Sequence, residues 1–349
     1  MARACVVHRA VCALAFLSIA AAGAQTGEEG FVTRLSSPGK LEVVRHPPAA
    51  DYSKFPNSGK IASLPSYRPN SQDNWQVDLR SCDLSALNVM DRLSDLLQAD
   101  FDSKTAWPSQ LPAGFDRLRI MEYGKNPGLG IRELHRLGIT GAGVGIAVID
   151  QALLVDHAEY RNRLKLYEEI HWQKDSQASM HGPAVASIAV GKTTGVAPEA
   201  DLYYIAEWHA RPKTGGGFEI ELTPLAQAID RIVEINRTLP PKRKIRVISI
   251  SLGITSERER YDLARTAIAN AEREGIYTIH TVSDPFMGLG RGPLADPDRF
   301  DSYVPGLFWA SQWKNQTTFL MVPMDSRCTA APNGENDYAF YRSGGMSWA

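Results

Sequence analysis

Three side chains with nucleophilic and acid–base chemistry occur in the order Asp150, His181 and Ser347. Asp150 directly follows the apolar run 144–149, and in an open α/β sheet functional sites form outside the carboxyl ends of strands. His181 precedes a run of small and apolar residues typical of a buried helix, and Ser347 follows two glycines. Because a histidine can deprotonate a serine while a carboxylate orients the histidine, the set predicts acyl transfer.

Chain order separates two folds that use these three side chains. The pattern Gly345-x-Ser347-x-Ala349 is similar to the nucleophile elbow of esterases, but in that fold the acid and the histidine follow the serine. Here only two residues follow Ser347. We therefore expect a triad in the order Asp, His, Ser. A serine at a helix start would also have free backbone N–H groups nearby to stabilise an oxyanion.

Four blocks of the sequence resemble the subtilisin-like serine peptidases, the subtilase family. The first block leads through an apolar strand to Asp150, and the second begins at His181 and continues to Gly-Val-Ala-Pro-Glu-Ala. The third block ends in Ser-Leu-Gly, and the fourth carries Ser347 in Gly-Met-Ser-Trp-Ala. The similarity extends from about residue 126 to residue 349 in the family's order, so it implies a subtilisin-like fold and peptide-bond hydrolysis.

The resemblance implies a role for each residue of the triad. Ser347 would attack the scissile carbonyl group, His181 would take its proton and pass it to the leaving amine, and Asp150 would orient His181. The partner would be a polypeptide substrate, whose extended backbone would pair with a strand end as an added strand. The residues of that strand end are Ser251, Leu252 and Gly253.

Two departures from the family pattern bear on activity. Subtilases usually supply an oxyanion-hole Asn after a buried strand, and the corresponding stretch 276–284 has no Asn. Thr281, Ser283, a protonated Asp284 or backbone groups alone would have to donate instead, and loss of one donor costs roughly 10²–10³ in rate. The chain also stops two residues after Ser347, where a helix should follow, so we expect a C-terminally incomplete domain.

Short apolar runs alternate with helical patterns after residue 138. The runs have strand length, and the helical patterns place apolar residues on one face. Apolar strands that alternate with helices predict a doubly wound, mostly parallel α/β sheet covered on both faces. The predicted strands are 144–149, 202–205, 245–252, 276–281 and 319–322. The predicted helices are 83–97, one that directly follows His181, one that starts at Pro224, and one that starts at a capping box formed by Ser256 and Glu259 and is closed by Gly275.

The chain before the peptidase-like region has a different character. A basic start, an apolar stretch and small residues predict a signal peptide over 1–24. The alternative, an N-terminal membrane anchor, would need a longer apolar run, and no later segment approaches spanning length. Residues 25–125 would be an irregular N-terminal extension or a removable pro-segment, and 126–349 would be the peptidase domain.

The composition excludes several classes of protein. The 349 residues carry 38 Lys and Arg against 39 Asp and Glu, a formal net charge of −1, and 44% of them are hydrophobic. A disordered chain has few apolar residues and a large net charge, and a nucleic-acid-binding protein has a basic surface. We therefore predict a globular protein that binds no nucleic acid and, given the signal peptide, is periplasmic or secreted.

Two cysteines remain after the predicted signal peptide, Cys82 and Cys328. In an oxidising compartment they could form one disulfide or stay separate thiols. Neither has the spacing of a zinc site.

No cofactor is predicted. The glycines at 141–145 precede a strand, whereas a dinucleotide-binding loop follows one. Asp156, His157 and Glu159 form a polar cluster that we expect to be a solvated loop rather than a metal site. Subtilases often bind calcium, but because no loop has recognisable ligand spacing, no metal site is assigned.

Three functions compete. The leading hypothesis is an exported serine endopeptidase. The second is a catalytically inactive protein of the same fold that binds peptides or a partner, motivated by the missing Asn and by the expected C-terminal incompleteness of the domain. The third is an exported esterase that keeps the triad without a Ser-Leu-Gly cleft.

Overall fold

The computed structural model describes residues 30–349, except for 38, 55–57, 70, 72, 74, 213–216, 283–285 and 307–319. The predicted signal peptide 1–24 therefore lies outside the described residues. The helices are α1 (Leu93–Leu96), α2 (Arg117–Lys125), α3 (Ile131–Arg136), α4 (His181–Val190), α5 (Thr223–Thr238) and α6 (Tyr261–Arg273). The strands are β1 (Phe31–Arg34), β2 (Gly59–Lys60), β3 (Cys82–Asp83), β4 (Phe101–Asp102), β5 (Gly145–Asp150), β6 (Leu164–Gln173), β7 (Asp201–Glu207), β8 (Ala210–Pro212), β9 (Phe218–Ile220), β10 (Ile245–Ile250), β11 (Tyr277–His280), β12 (Phe286–Arg291), β13 (Tyr303–Pro305), β14 (Leu320–Pro323), β15 (Arg327–Ala330) and β16 (Tyr338–Tyr341).

A six-stranded sheet has the strand order β1-β6-β7-β5-β10-β11. Its neighbouring strands run parallel, apart from β1 against β6. On the central strand β5, Ile149 lies between Ile205 and Ile250. The predicted mostly parallel α/β fold is thus confirmed. The strand predicted at 319–322 corresponds to β14, which instead joins β12 and β13 in a separate sheet.

Helices cover both faces of this sheet. Successive residues of a strand point to opposite faces. Ala147 and Ile149 of β5 belong to a buried core with residues of α5 and α6, whereas Val148 belongs to a second core with residues of α4. The sheet is therefore doubly wound, as predicted. Among the helices of the described residues, none is long and apolar enough to cross a membrane.

The N-terminal region contributes an edge strand that the sequence did not reveal. β1 pairs antiparallel with β6, and Glu168 and Glu169 of β6 are buried. The Ser36 backbone N–H donates to Glu168 at 2.8 Å, and Arg45 Nε donates to Glu169 at 2.6 Å. Four residues are too few to show a strand periodicity. The predicted boundary between residues 125 and 126 stays a prediction, although pairing crosses it.

The helix predicted over 83–97 is wrong except for its last turn, α1. The Asp83 carboxylate accepts a hydrogen bond from the Ser85 backbone N–H at 2.9 Å, and the Asn88 side chain accepts one from the Met90 N–H at 3.1 Å. Such local side-chain bonds compete with helix formation. The apolar residues of this stretch still reach a third core, whose members include Val77, Leu79, Leu84, Leu96, Phe101, Phe115, Ile120 and Phe340.

Helix α6 begins later than its predicted capping box. The Glu259 carbonyl oxygen accepts a hydrogen bond from the Leu222 N–H at 3.0 Å, which holds this stretch outside the helix. Arg260, with φ of 60°, precedes the first turn, so Ser256 caps nothing. The predicted end is confirmed, because Gly275 closes the helix with φ of 76°.

Cys82 and Cys328 are not joined to each other in a disulfide. The Cys82 sulfur lies 3.7 Å from the Arg80 carbonyl oxygen, and the Cys328 sulfur lies 3.9 Å from the Met121 sulfur. Burial raises the pKa of the Cys82 thiol to about 11. The two thiols therefore pack in different surroundings as small apolar groups.

Candidate active site

The carboxyl end of β5 brings two of the predicted residues together. Asp150 ends this central strand, and its side chain is 3% exposed. The His181 Nδ1–H donates to Asp150 Oδ1 at 2.6 Å, and the Gln151 backbone N–H donates to the same oxygen at 2.7 Å. With Nδ1 committed to the carboxylate, Nε2 is the ring atom available for proton transfer.

Close packing beside β5 places His181 at this distance. His181 is the first residue of α4, and Gly182 follows it. A Cβ atom on Gly182 would lie 2.5 Å from the Gln151 carbonyl oxygen and 2.5 Å from the Tyr204 hydroxyl. The Tyr204 hydroxyl itself donates to the Gln151 carbonyl. A residue without a side chain is therefore required for α4 to approach the strand end.

Two opposing effects set the protonation of His181. Burial lowers the pKa of the imidazole, whereas the charge of Asp150 and the hydrogen bond to it raise the pKa. The net effect raises the pKa of His181 above its ordinary value. The carboxylate thus stabilises the imidazolium that proton transfer would create.

Ser347 lies in a single 3-10 turn, Met346–Trp348, where an α-helix start was expected. This turn contacts α4, the helix that His181 begins. Trp348 is buried, and its ring meets the Tyr341 ring edge-on with centroids 4.5 Å apart. The half-buried Ser347 is thus held by the packing of its neighbour.

Asp325 anchors Gly344, the first of the two glycines before Ser347, and nothing in the sequence indicates this contact. Asp325 Oδ1 accepts a hydrogen bond from the Gly344 N–H at 2.8 Å. A Cβ atom on Gly344 would lie 2.3 Å from the Met324 carbonyl oxygen, which explains a glycine at this position. No local pattern around Asp325 could have indicated this role, because the two residues meet only through tertiary structure.

The predicted substrate-binding residues extend from the end of β10. Ser251 Oγ donates to the Ser347 carbonyl oxygen at 3.5 Å, the long end of hydrogen bonding, so the structure brings these two residues together. Leu252 and Gly253 are buried. The Leu252 carbonyl oxygen accepts a hydrogen bond from the Thr281 N–H at 3.3 Å.

The candidate oxyanion donors lie after β11. Thr281 follows the strand directly, and its hydroxyl oxygen is shielded from solvent with no hydrogen-bond partner within the described part of the chain. Ser283 and Asp284 lie outside the described residues.

The cluster of His157 and Glu159 is buried, so the expected solvated loop is wrong for these two residues. His157 Nε2–H donates to the Asp337 carbonyl oxygen at 2.8 Å, and burial lowers the pKa of His157. Burial raises the pKa of Glu159, but hydrogen bonds from Thr193, Tyr338 and the Thr194 N–H outweigh burial and lower it. These hydrogen bonds from the protein take the place of water around the buried Glu159 carboxylate.

No metal centre emerges from the described ranges. Within them, no three or more His, Cys, Asp or Glu side chains gather in an arrangement that could hold a metal ion. The prediction that no metal site is assigned, with structural calcium left open by the resemblance, stays a prediction.

Residues 141–283 match the Subtilase family. The matched stretch covers less than half of the chain and contains Asp150, His181 and the strand end 251–253, but not Ser347. No curated protein matches the chain.

Solved structures with partial similarity are peptidases. The prenylagaramide maturation protease PagA is 18% identical, with 63% of this chain and 75% of that chain covered and a TM-score of 0.42. A cold adapted subtilisin-like serine proteinase is 16% identical, with 60% and 72% covered and a TM-score of 0.39. The epidermin leader peptide processing protease EpiP from Staphylococcus aureus is 14% identical, with 65% and 66% covered and a TM-score of 0.43. The family match, on the stretch that carries Asp150 and His181, confirms the predicted resemblance to the subtilase family for residues 141–283.

Proposed function

We propose that the protein is an exported serine endopeptidase that hydrolyses peptide bonds through Asp150, His181 and Ser347. The observation that carries the proposal is the 2.6 Å hydrogen bond between His181 Nδ1 and Asp150 Oδ1 at the carboxyl end of a central parallel strand. This bond leaves His181 Nε2 available to take a proton from a serine hydroxyl. Both residues lie within the stretch that matches the Subtilase family. The packing of the Ser347 turn on α4 adds support.

The proposed acylation step uses all three side chains. The Ser347 hydroxyl attacks the scissile carbonyl carbon while His181 Nε2 takes the hydroxyl proton. Asp150 keeps the Nδ1–H oriented and stabilises the imidazolium. The tetrahedral intermediate collapses when His181 returns the proton to the leaving amine, and the acyl group stays on Ser347.

Deacylation repeats the sequence with water. His181 takes a proton from the water, whose oxygen attacks the acyl carbon, and then returns the proton to the Ser347 oxygen. The products are an amine and a carboxylic acid. The negative oxygen of each tetrahedral intermediate needs hydrogen-bond donors. Among the described residues, the Thr281 hydroxyl, directly after β11, is the candidate donor.

Substrate binding is proposed at the strand end formed by Ser251, Leu252 and Gly253. A polypeptide in extended conformation would pair its backbone with this strand end. Because the Leu252 carbonyl oxygen already accepts the Thr281 N–H, the carbonyl and N–H groups of Ser251 and Gly253 would carry this pairing.

Labelling with a fluorophosphonate tests the proposed function. The reagent phosphonylates serines that a base activates, so peptide mapping should locate it on Ser347. Ser347→Ala and His181→Ala should each abolish labelling, because such groups act as a unit and losing one typically costs on the order of 10⁴ or more. Ser256→Ala, at an exposed serine, is the matched control and should label like the wild type. Absence of label from a folded wild-type protein would contradict the proposal.

Export is the second part of the proposal. The sequence features of 1–24 support it, and N-terminal sequencing of the protein recovered from periplasm or medium should begin near Gln25. Recovery of the intact N-terminus in the cytoplasm alone would contradict export.

A catalytically inactive peptide-binding protein is the alternative. The stretch after β11, where subtilases usually supply an oxyanion-hole Asn, favours this alternative. It has no Asn, and Thr281 is the candidate donor there among the described residues. Fluorescence anisotropy of a labelled unfolded polypeptide, followed by mass spectrometry of the same sample, separates the two. Binding with no cleavage favours the inactive protein, and cleavage favours the peptidase.

A further inference from the structure

The strand that leads to Ser347 is paired with the N-terminal region. β16 lies between β15 and β4 in a three-stranded sheet, with Phe340 opposite Phe101 and Ala339 opposite Asp102. The ring centroids of Phe340 and Phe101 lie 5.3 Å apart. Ser347 follows the end of β16 by only six residues, so whatever holds β16 also limits the movement of the serine.

Arg80 extends this support to the turn itself. Its guanidinium donates to both carboxylate oxygens of Asp78, at 2.8 and 2.7 Å, and to the Tyr341 hydroxyl at 3.0 Å. The guanidinium carbon lies 5.1 Å from the centroid of the Tyr341 ring. Because the same ring packs edge-on against Trp348, one continuous contact path joins Arg80 to the neighbour of Ser347.

A second bond from the N-terminal region holds the residue after β16. The Arg342 N–H donates to Asp100 Oδ1 at 2.7 Å, and Asp100 is buried. Arg342 lies two residues before Gly344, which Asp325 holds at 2.8 Å. The segment between β16 and Ser347 is thus held by hydrogen bonds at Arg342 and at Gly344.

We propose that Arg80 is a positioning residue for Ser347 and that residues 75–102 are a permanent part of the active protein rather than a releasable pro-segment. The proposal rests on the proposed function in taking Ser347 as the nucleophile. Loss of this segment would uncover Phe340 and Tyr341, both 1% exposed, and would leave the Arg342 N–H without its acceptor, Asp100 Oδ1. A nucleophile must be held to within about 0.5 Å, so loosening this support costs rate before it costs the fold.

Arg80→Lys is the informative variant. Lysine keeps the charge but lacks the planar fork that bonds Asp78 and Tyr341 together. The matched control is Arg92→Lys, because Arg92 also pairs with a carboxylate of the N-terminal region, Asp95 at 2.7 Å, but its hydrogen bonds stay within residues 64–95. We expect Arg80→Lys to slow fluorophosphonate labelling of Ser347 roughly ten- to hundredfold and Arg92→Lys to leave it unchanged.

Hydrogen exchange provides a readout that needs no activity. Backbone amides in peptides covering 338–349 should exchange faster in Arg80→Lys than in the wild type or in Arg92→Lys. Equal exchange in the two variants would overturn the positioning role, and so would faster exchange with an unchanged labelling rate. If the wild type takes no label, the proposed function fails, while the exchange data still decide whether Arg80 holds this segment.

Two further measurements complete the test. Tyr341→Phe removes only the hydroxyl that accepts from Arg80. It should also speed exchange and slow labelling, to a smaller extent than Arg80→Lys. This variant tests the proposal if Arg80→Lys does not fold. Intact mass and N-terminal sequencing of the labelled, exported protein should give a chain that includes residues 75–102. A labelled chain that lacks them, with no fragment bound, would overturn the permanent role.

Discussion

Asp150 and His181 show how one hydrogen bond changes the acid–base behaviour of an imidazole. Burial alone would lower the pKa of His181, and the carboxylate more than offsets it. Neutral His181 is the form that can take a proton, so the proposed activity should fall as the pH drops through the raised pKa of His181.

Asp150→Asn tests this balance directly. Without the carboxylate, burial remains and should take the pKa of His181 below its ordinary value. Titration of His181 by NMR should therefore give a higher pKa in the wild type than in Asp150→Asn. Equal values in the two proteins would show that the carboxylate does not set the protonation of His181.

Gly182 makes a second prediction at the scale of single residues. A methyl group there would lie 2.5 Å from the Gln151 carbonyl oxygen, so α4 has to move away from β5. Gly182→Ala should reduce kcat/KM by roughly 10² or more, because small misplacements of a catalytic group are costly. Gly292→Ala, where the new Cβ meets Ala295 at an ordinary 3.8 Å, is the matched control. Similar kinetics in both variants would refute the role assigned to Gly182.

At the scale of elements, β1 and the residues after it are fastened to β6 by buried charge. Glu169 is fully buried and is held by Arg45 and Arg34, both from the N-terminal region. Arg45→Met should lower the free energy of unfolding by roughly 2–3 kcal/mol, less than the loss of a whole buried pair because Arg34 remains. Urea unfolding measures the change.

An exposed ion pair serves as the control for that experiment. Arg68 and Asp73 form a bond of similar length, 2.7 Å, but both side chains are about two-thirds exposed, at 68% and 65%. Arg68→Met should therefore change stability little. Equal losses of unfolding free energy in Arg45→Met and Arg68→Met would mean that the burial of Glu169 does not increase the contribution of its ion pair to stability.

Elements also show where periodicity fails as a guide. The spacing of apolar residues over 83–97 fits a helix, yet Asp83 and Asn88 bond the backbone two residues ahead and form turns. By contrast, α4 and α5 form within one residue of their predicted starts, at His181 and Thr223, and no turn of this kind interrupts them.

For the whole molecule, Asp100 predicts a dependence of stability on pH. Burial, followed by the charge of Asp78, raises the pKa of Asp100 to about 8, from an ordinary value of 3.8. The folded protein therefore binds this proton more tightly than the unfolded chain. Its contribution to the free energy of unfolding is full below about pH 4 and is lost as the pH rises to about 8, at about 1.4 kcal/mol per pKa unit.

Asp100→Asn should remove this dependence while keeping an oxygen for the Arg342 N–H. Urea unfolding at pH 5 and pH 8 should show a larger decrease for the wild type than for the variant. Parallel decreases would show that Asp100 titrates normally in the folded protein.

The sequence by itself determined the order Asp150, His181, Ser347, the alternation of apolar strands with helices, and from these the doubly wound sheet. These features depend on residue type and short-range spacing, which a local pattern contains. The tertiary structure alone decided that β1 joins the sheet, that Asp325 holds Gly344 and that Arg80 supports the strand before Ser347. Those contacts join segments that are far apart in the chain, or residues that meet only when the chain folds back on itself. No periodicity in the sequence encodes the partner of a buried charge.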